Sequence, residues 1–286
     1  MQKVAIVTDT VAQLTEDMAR RYSVQVVPAS IIYCDGRTYT DGVDISSVEA
    51  YTLLAQNPSQ FNTSAITPDY FYKTFTDVSK RFKEIICITV SSKMSAVYNS
   101  AVMASKQILE KEPELKVRAF DSMSAAGSEG LVVLAAASAA LHGLDLNGVT
   151  KVAERAREQS ESLFVIDTIR YIYRTGRIPK VVSQSAGAIG VKPTCRIGRD
   201  GLVHLIGLSR SRDKGVQRII EMTKHRLGDI PINVIIMHTS ALADAERLKD
   251  RVKREFNCHD IFISEFSPVM GYACGPGVLG IATCAV

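Results

Sequence analysis

The stretch EIICITVSSKMSAVYNSA, residues 84–101, runs from a β-branched segment into apolar positions at helical spacing, with three serines near the join. The apolar set 94, 97, 98, 101, 102, 108 and 109 fits one face of a helix. One serine, Ser91 or Ser92, is enough to cap it. Working outward, KVAIVTD (3–9), VQVVPASIIY (24–33) and VRAFDS (117–122) read as further strands, each followed by a polar loop or a helical pattern. That alternation predicts βα units around a parallel sheet.

Beyond an Ala-rich helix ending near 141–143 and another at about 147–160, the pattern changes. LFVID, PTCRIG, LVHLIGLS, INVIIMH, IFISEF and VLGIATCAV read as six strands, and GRDG (198–201) joins the second and third as a hairpin. A mixed sheet is therefore expected in the second half. The boundary falls near residue 160, giving domains 1–160 and 161–286 that pack closely, since no Pro/Ser-rich linker separates them.

Composition narrows the function classes. At 286 residues the chain is long enough to bury a sizeable core. Its longest mostly apolar run, Leu131 to Leu141, is far short of the roughly 20 residues of a membrane span. With no signal-peptide pattern in the opening residues, a cytoplasmic protein is expected. The six cysteines form no CxxC pair, so reduced thiols are expected. Cys258, His259 and Asp260 are adjacent in a strand-like segment, where alternation splits them between faces, so no metal site is expected. Between Arg170 and Arg226 there are 13 Lys/Arg against 3 Asp/Glu, which implies a basic surface. No Phe, Tyr or Trp lies between Arg174 and Arg226, which argues against a nucleic-acid stacking platform.

Polar side chains gather where the first-half strands end: Asp9 and Thr10, then Ser91, Ser92 and Ser95, then Asp121, Ser122 and Ser124. Open α/β sheets bind ligands beyond those strand ends. Each residue alone is a cap or turn former. With NTSAITP (62–68) they read together as a lined pocket. In that segment Thr67 and Pro68 suit N-cap and N1, leaving Thr63 and Ser64 free for an anion such as a carboxylate. No Walker-type loop or glycine-rich dinucleotide loop is present, so no nucleotide cofactor is expected. The five histidines offer no triad signature, and His238, ending INVIIMH, is the strongest of them. ACGPGVLG (273–280) reads as a tight turn that brings backbone close to a neighbour or a ligand.

The stretches VAIVTDT, TSAITPDYF, SSKMSAVYNSA, AFDSMSAAGSEGL, IDTIRYIYRTGRI, GVKPT and GPGVLGI occur in an order that resembles the DegV family, fatty-acid-binding proteins that serve as carrier subunits of bacterial fatty acid kinase. The resemblance implies a three-layer α/β/α parallel-sheet domain plus a two-layer α/β domain on a mixed six-stranded sheet. It also implies one long-chain fatty acid between the domains, with no other cofactor and no catalysis by the carrier itself. By motif position Thr63 and Ser95 hold the carboxylate, with Ser64 and Ser92 beside them, and Asp9, Ser122, Ala273, Gly275 and Gly277 complete the pocket and its turn. Ala273 stands where relatives often have histidine, Ala96 follows the ligand serine in place of glycine, and RTGRI replaces RGGRI. Arg174, Arg177, Arg210 and Arg212 are the candidates for docking the kinase subunit. A monomer that makes at most transient contact with a membrane is expected. The competing reading is a hydrolase or transferase acting on a small acid, with Asp9 or His238 as general base.

Overall fold

The computed structural model describes residues 2–177 and 190–286. Strands β1 (Val4–Asp9), β2 (Val24–Val27), β6 (Glu84–Thr89) and β7 (Lys116–Asp121) form a parallel sheet in the order β2-β1-β6-β7. Every residue of β1 is buried, as the unbroken apolar run of a strand covered on both faces requires. The chain moves one way from β1 to β2 and the other way to reach β6. Right-handed crossovers then put α1 (Glu16–Arg21) on one face and α3 (Pro68–Ser79) and α4 (Val97–Lys111) on the other. The order reverses between β1 and β6.

The segment 24–33 is not one strand. Pro28 offers no N–H to the ladder, and the Ala29 N–H is taken by Thr10 Oγ1 at 3.0 Å, so the chain leaves the parallel sheet there. It re-forms as β3 (Ser30–Cys34) in an antiparallel sheet of order β4-β3-β5, with β4 (Arg37–Thr40) and β5 (Asn62–Ala65). Asp35 and Gly36, at φ +50° and +73°, make the two-residue hairpin between β3 and β4.

The second sheet contains β8 (Glu161–Val165), β9 (Lys192–Ile197), β10 (Val203–Ser209), β11 (Ile232–His238), β12 (Cys258–Glu265) and β13 (Leu279–Ala285) in the order β10-β9-β8-β13-β11-β12. Only β11 and β12 pair in parallel, so the sheet is mixed as expected. Alternation along β11 divides its residues. Val234 and Ile236 join the core under α8 (Arg212–Leu227) and α9 (Leu242–Glu255), while Ile235 and Met237 face the first sheet's helices.

Helix α5 (Ala126–Leu141) packs against both sheets, and α6 (Leu146–Gln159) lies beside it. A helix between two sheets must be apolar nearly all round and slim, which explains its Ala/Gly content. A Cβ on Gly127 would lie 2.6 Å from the Ala282 Cβ, and one on Gly130 would lie 2.3 Å from the Ala12 carbonyl oxygen. The three-layer α/β/α unit thus lends its inner helix layer to the two-layer unit. Among the described residues no helix is long and apolar enough to cross a membrane.

Candidate functional site

At the reversal point the buried carboxylate of Asp9 accepts from the Val11 N–H and the Val90 N–H, both at 2.9 Å, and so ties the ends of β1 and β6 together. Burial pushes its pKa up to about 7 against the pull of those two N–H groups. Thr10 donates to Asp41, whose second oxygen accepts from Val269 N at 2.9 Å in the first turn of α10 (Pro268–Cys274). Asp41 is buried as well, and desolvation lifts it to about 6 despite its bonds to Thr10 and Val269. Helix α2 (Ser47–Gln56) holds α10 from behind. Ser47 Oγ and Tyr51 Oη both donate to the Phe266 carbonyl, and a Cβ on Gly271 would fall 1.8 Å from the Tyr51 ring.

Beside these ties lies a cavity of about 100 Å³. Its apolar wall includes Val11, Val90, Met94, Phe164, Ile197, Phe266 and, from α10, Val269 and Met270. Helix α7 (Arg170–Arg174) and the residues after it add Ile172, Thr175 and Arg177. Tyr272 stacks on Phe61 with centroids 5.3 Å apart. The polar lining is sparse: Ser30, Thr63, Ser95 and Thr175 with Arg177, plus Tyr272 and Cys274. Burial pushes the Cys274 thiol up to about 12, which keeps it protonated. Among the described residues no Asp, Glu or His lines this cavity, and Arg177 is its one charged side chain.

Thr63 and Ala65 line the cavity because β5 alternates. Ser64 is therefore on the other face, where its hydroxyl meets Tyr33 Oη at 3.3 Å, and it does not reach the cavity. Ser91 and Ser92 do not cap α4, which starts at Val97 behind Ala96. Residues 91–95 form a separate turn, with Met94 N and Ser95 N donating to the Ser91 carbonyl at 3.0 and 3.1 Å. Ser91 Oγ donates to the Gly201 carbonyl at 2.9 Å and so fastens the β9–β10 hairpin to the first sheet. The Ser92 N–H is held by Asp121 at 3.2 Å, and Ser92 does not line the cavity. Ser95 Oγ does line it and accepts from Val97 N at 3.4 Å.

The other hydroxyls of the cluster serve the frame. Ser122 is fully buried in a turn with Ser124 and is absent from the lining. Ser124, Ser128 and Ser162 form a chain that joins the first turn of α5 to β8, with Ser162 Oγ donating to Ser128 Oγ at 2.8 Å. Ala273 borders the cavity, while Gly275 and Gly277 lie outside it. Their φ angles of +79° and +80° require glycine, as does their contact with neighbours: a Cβ would lie 2.3 Å from the Tyr171 ring and 2.7 Å from the Asp167 carboxyl. Asp9 is part of the seam rather than the lining. His238 is buried at the end of β11, where it accepts from Ala241 N at 3.4 Å, and desolvation lowers its pKa. Neither proposed general base faces the cavity.

The four arginines separate. Arg174 donates to the Pro58 carbonyl, its guanidinium 4.8 Å from the Tyr272 ring centroid. Arg177 turns inward, its Nε donating to Met94 O at 3.3 Å beside Ser95. Arg212 pairs with Asp244 on α9. Arg210 is exposed, with no ion pair among the described residues. The described residues contain no cluster of three or more metal-ligating side chains. Sequence reasoning missed Ser30, Thr175 and the inward turn of Arg177. The Asp35-Gly36 hairpin signal would have revealed β3 and, through pairing with β5, the face that Thr63 takes.

Similarity to known proteins agrees with this architecture. The chain is 30% identical over 280 residues to a DegV domain-containing protein of Clostridium perfringens and 28% identical over 282 residues to one of Clostridium acetobutylicum, in each case over 98% of both chains. The fold matches that of a fatty-acid-binding DegV family protein from Thermus thermophilus at a TM-score of 0.88, with 22% identity and 100% of each chain covered. It matches a stearic-acid-binding protein from Eubacterium ventriosum at 0.88 and 22% identity, over 100% of this chain and 98% of that one. The family model described as "Uncharacterised protein, DegV family" matches residues 3–286, and the chain belongs to the DegV family.

Proposed function

We propose that the protein is a carrier that binds one long-chain fatty acid in this cavity and presents the carboxylate to a separate ATP-dependent kinase, which forms the acyl phosphate. The observation that carries the reading is the lining: apolar walls, a few hydroxyls, one guanidinium and, among the described residues, no acid or imidazole. Thr63 and Ser95 donate to the carboxylate, and Arg177 supplies the countercharge. The proteins that share the fold and bind fatty acids support the same reading.

Each buried methylene contributes about 0.8 kcal/mol, so the tail supplies most of the affinity and the polar groups set orientation. Unbranched Met94 and Met270 in the wall can change rotamer to fit the tail. The carrier works in the cytoplasm as a monomer, with ATP and Mg²⁺ held by the kinase. Arg210, exposed between β10 and α8, belongs to the docking face.

Organic extraction and mass spectrometry of the purified protein test the binding step: about one acyl chain per protein is expected from a single such cavity. Delipidated protein that takes up no fatty acid at micromolar concentration would refute it. For the kinase step, Arg210→Glu should leave fatty acid affinity unchanged and slow acyl phosphate formation with the cognate kinase, most at low salt. Undiminished turnover removes Arg210 from the docking face.

A further inference from the structure

Much of the basic character of residues 170–226 is not explained by fatty acid binding. Arg196, Arg199 and Arg226 from that stretch converge with Arg157 of α6 on a second cleft of about 660 Å³. It shares only Ile197 with the walls of the apolar cavity. Four guanidinium groups face two carboxylates, Glu158 and Glu161, along its lining. Glu161 is shared: Arg226 Nε lies 3.0 Å from one of its oxygens and Arg196 Nη1 4.0 Å from the other. Arg226 is fixed further by the Gln159 carbonyl at 3.1 Å and Thr283 Oγ1 at 2.6 Å.

Arg157 is positioned without a carboxylate partner among the described residues. Its guanidinium lies 5.0 Å from the Phe120 ring centroid and donates to the Asp121 carbonyl at 3.1 Å. Arg199, at the exposed turn of the β9–β10 hairpin, likewise has no described ion pair. Burial lowers the proton affinity of Arg226; Glu161 opposes that effect and nearby Arg199 adds to it. The cleft thus has two guanidinium groups held by hydrogen bonds, two freer ones, and an excess of positive charge along its lining. A guanidinium fork matches two oxygens of a phosphate, and a dianionic phosphate monoester balances the two unmatched charges.

We propose that this arginine-lined cleft is a binding site for a phosphoryl group, carried either by a soluble phosphate ester or by a phospholipid headgroup. The site stands independently of the fatty acid reading. Arg157 and Arg226 form its fixed base, and Arg196 and the exposed Arg199 supply the freer guanidinium groups. The hairpin is fastened by Ser91 to the loop that carries Ser95, so occupancy of the cleft adjoins the apolar cavity.

Two probes separate the sources. One is a calorimetric titration with glycerol 3-phosphate. The other is co-sedimentation with phosphatidylglycerol/phosphatidylcholine vesicles, compared with pure phosphatidylcholine vesicles. Saturable binding of glycerol 3-phosphate that weakens at least tenfold in Arg199→Gln, and not in the control Arg20→Gln on α1, supports a soluble ester. Binding confined to the anionic vesicles with the same variant pattern supports a headgroup. The far-UV circular dichroism spectrum and the Tm of Arg199→Gln should match those of the unsubstituted protein, which shows that the variant is folded. Binding of neither probe, or equal weakening by Arg199→Gln and Arg20→Gln, overturns the proposal.

Discussion

The seam around Asp9 and the cavity beside it are built from the same hydroxyl-rich loops and use them in opposite ways. In the seam, Asp9, Asp41, Ser91, Ser122 and Ser128 are buried or nearly so and committed to named partners. In the cavity, Thr63, Ser95 and Thr175 sit among apolar side chains, and Arg177 brings a charge. A polar group in the first region stabilises the frame; one in the second lines the cavity. The identity of the residue does not decide which: Ser91 and Ser95, four positions apart, fall on opposite sides of the divide.

Substitutions should respect this division. The largest effect is expected from Asp9→Ala, which leaves the Val11 and Val90 N–H groups buried without acceptors. At roughly 1–3 kcal/mol for each such group, stability should fall by about 2–6 kcal/mol in urea denaturation. A loss below about 0.5 kcal/mol would mean that the seam does not hold the strand ends. In the cavity, Thr63→Ala and Ser95→Ala should each weaken fatty acid binding by roughly 1.5–3 kcal/mol in displacement assays, the size of a hydrogen bond to a charged group. Arg177→Gln should act in the same direction. Stability without fatty acid should hardly change in these variants, and a large shift in Tm would blur the division between frame and cavity.

A smaller and pH-dependent effect is expected at Glu129. Its carboxylate is fully buried in α5, both oxygens lack a described partner, and burial followed by repulsion from Asp9 and Asp121 raises its pKa well above the usual range. Asp9 and Asp41 are raised too, to about 7 and about 6. Such groups bind protons more tightly folded than unfolded. The stability they contribute is fully present below about pH 4 and is lost as pH rises through the folded values. Glu129→Gln should therefore gain more stability at pH 8 than at pH 5, and an equal gain at both would show that Glu129 does not titrate with folding. The smallest change is expected at Ser64, on the solvent face of β5, where Ser64→Ala should leave stability and fatty acid affinity within about 0.5 kcal/mol.

The fold was legible in the sequence where local signals are strong. The apolar runs of β1 and β6, the six strands of the mixed sheet and the GRDG hairpin all follow from composition and turn chemistry. The strand through Pro28 was misread because the apolar pattern continues across a residue that cannot extend the ladder. The start of α4 was misread because residues 91–95 close a turn of their own: the Ser91 hydroxyl accepts from Lys93 N at 3.2 Å, the Ser91 carbonyl takes the Met94 and Ser95 N–H groups, and the helix begins only at Val97. The site was half legible. Thr63 and Ser95 were placed through motif resemblance and do line the cavity, whereas Ser64, Ser92 and Ser122 lie outside it because strand alternation and turn bonding direct them elsewhere.

The central claim is that this cavity accepts an acyl tail, and a chain-length series measures it most directly. Saturated fatty acids of increasing length are titrated into delipidated protein, and binding is followed by displacement of a fluorescent fatty acid. Affinity should rise by about fourfold per methylene, the equivalent of about 0.8 kcal/mol, until the tail fills the space, and then level off. Affinity that is flat with chain length, or highest for acids of two to four carbons, would contradict the account and return the cavity to a small-acid site.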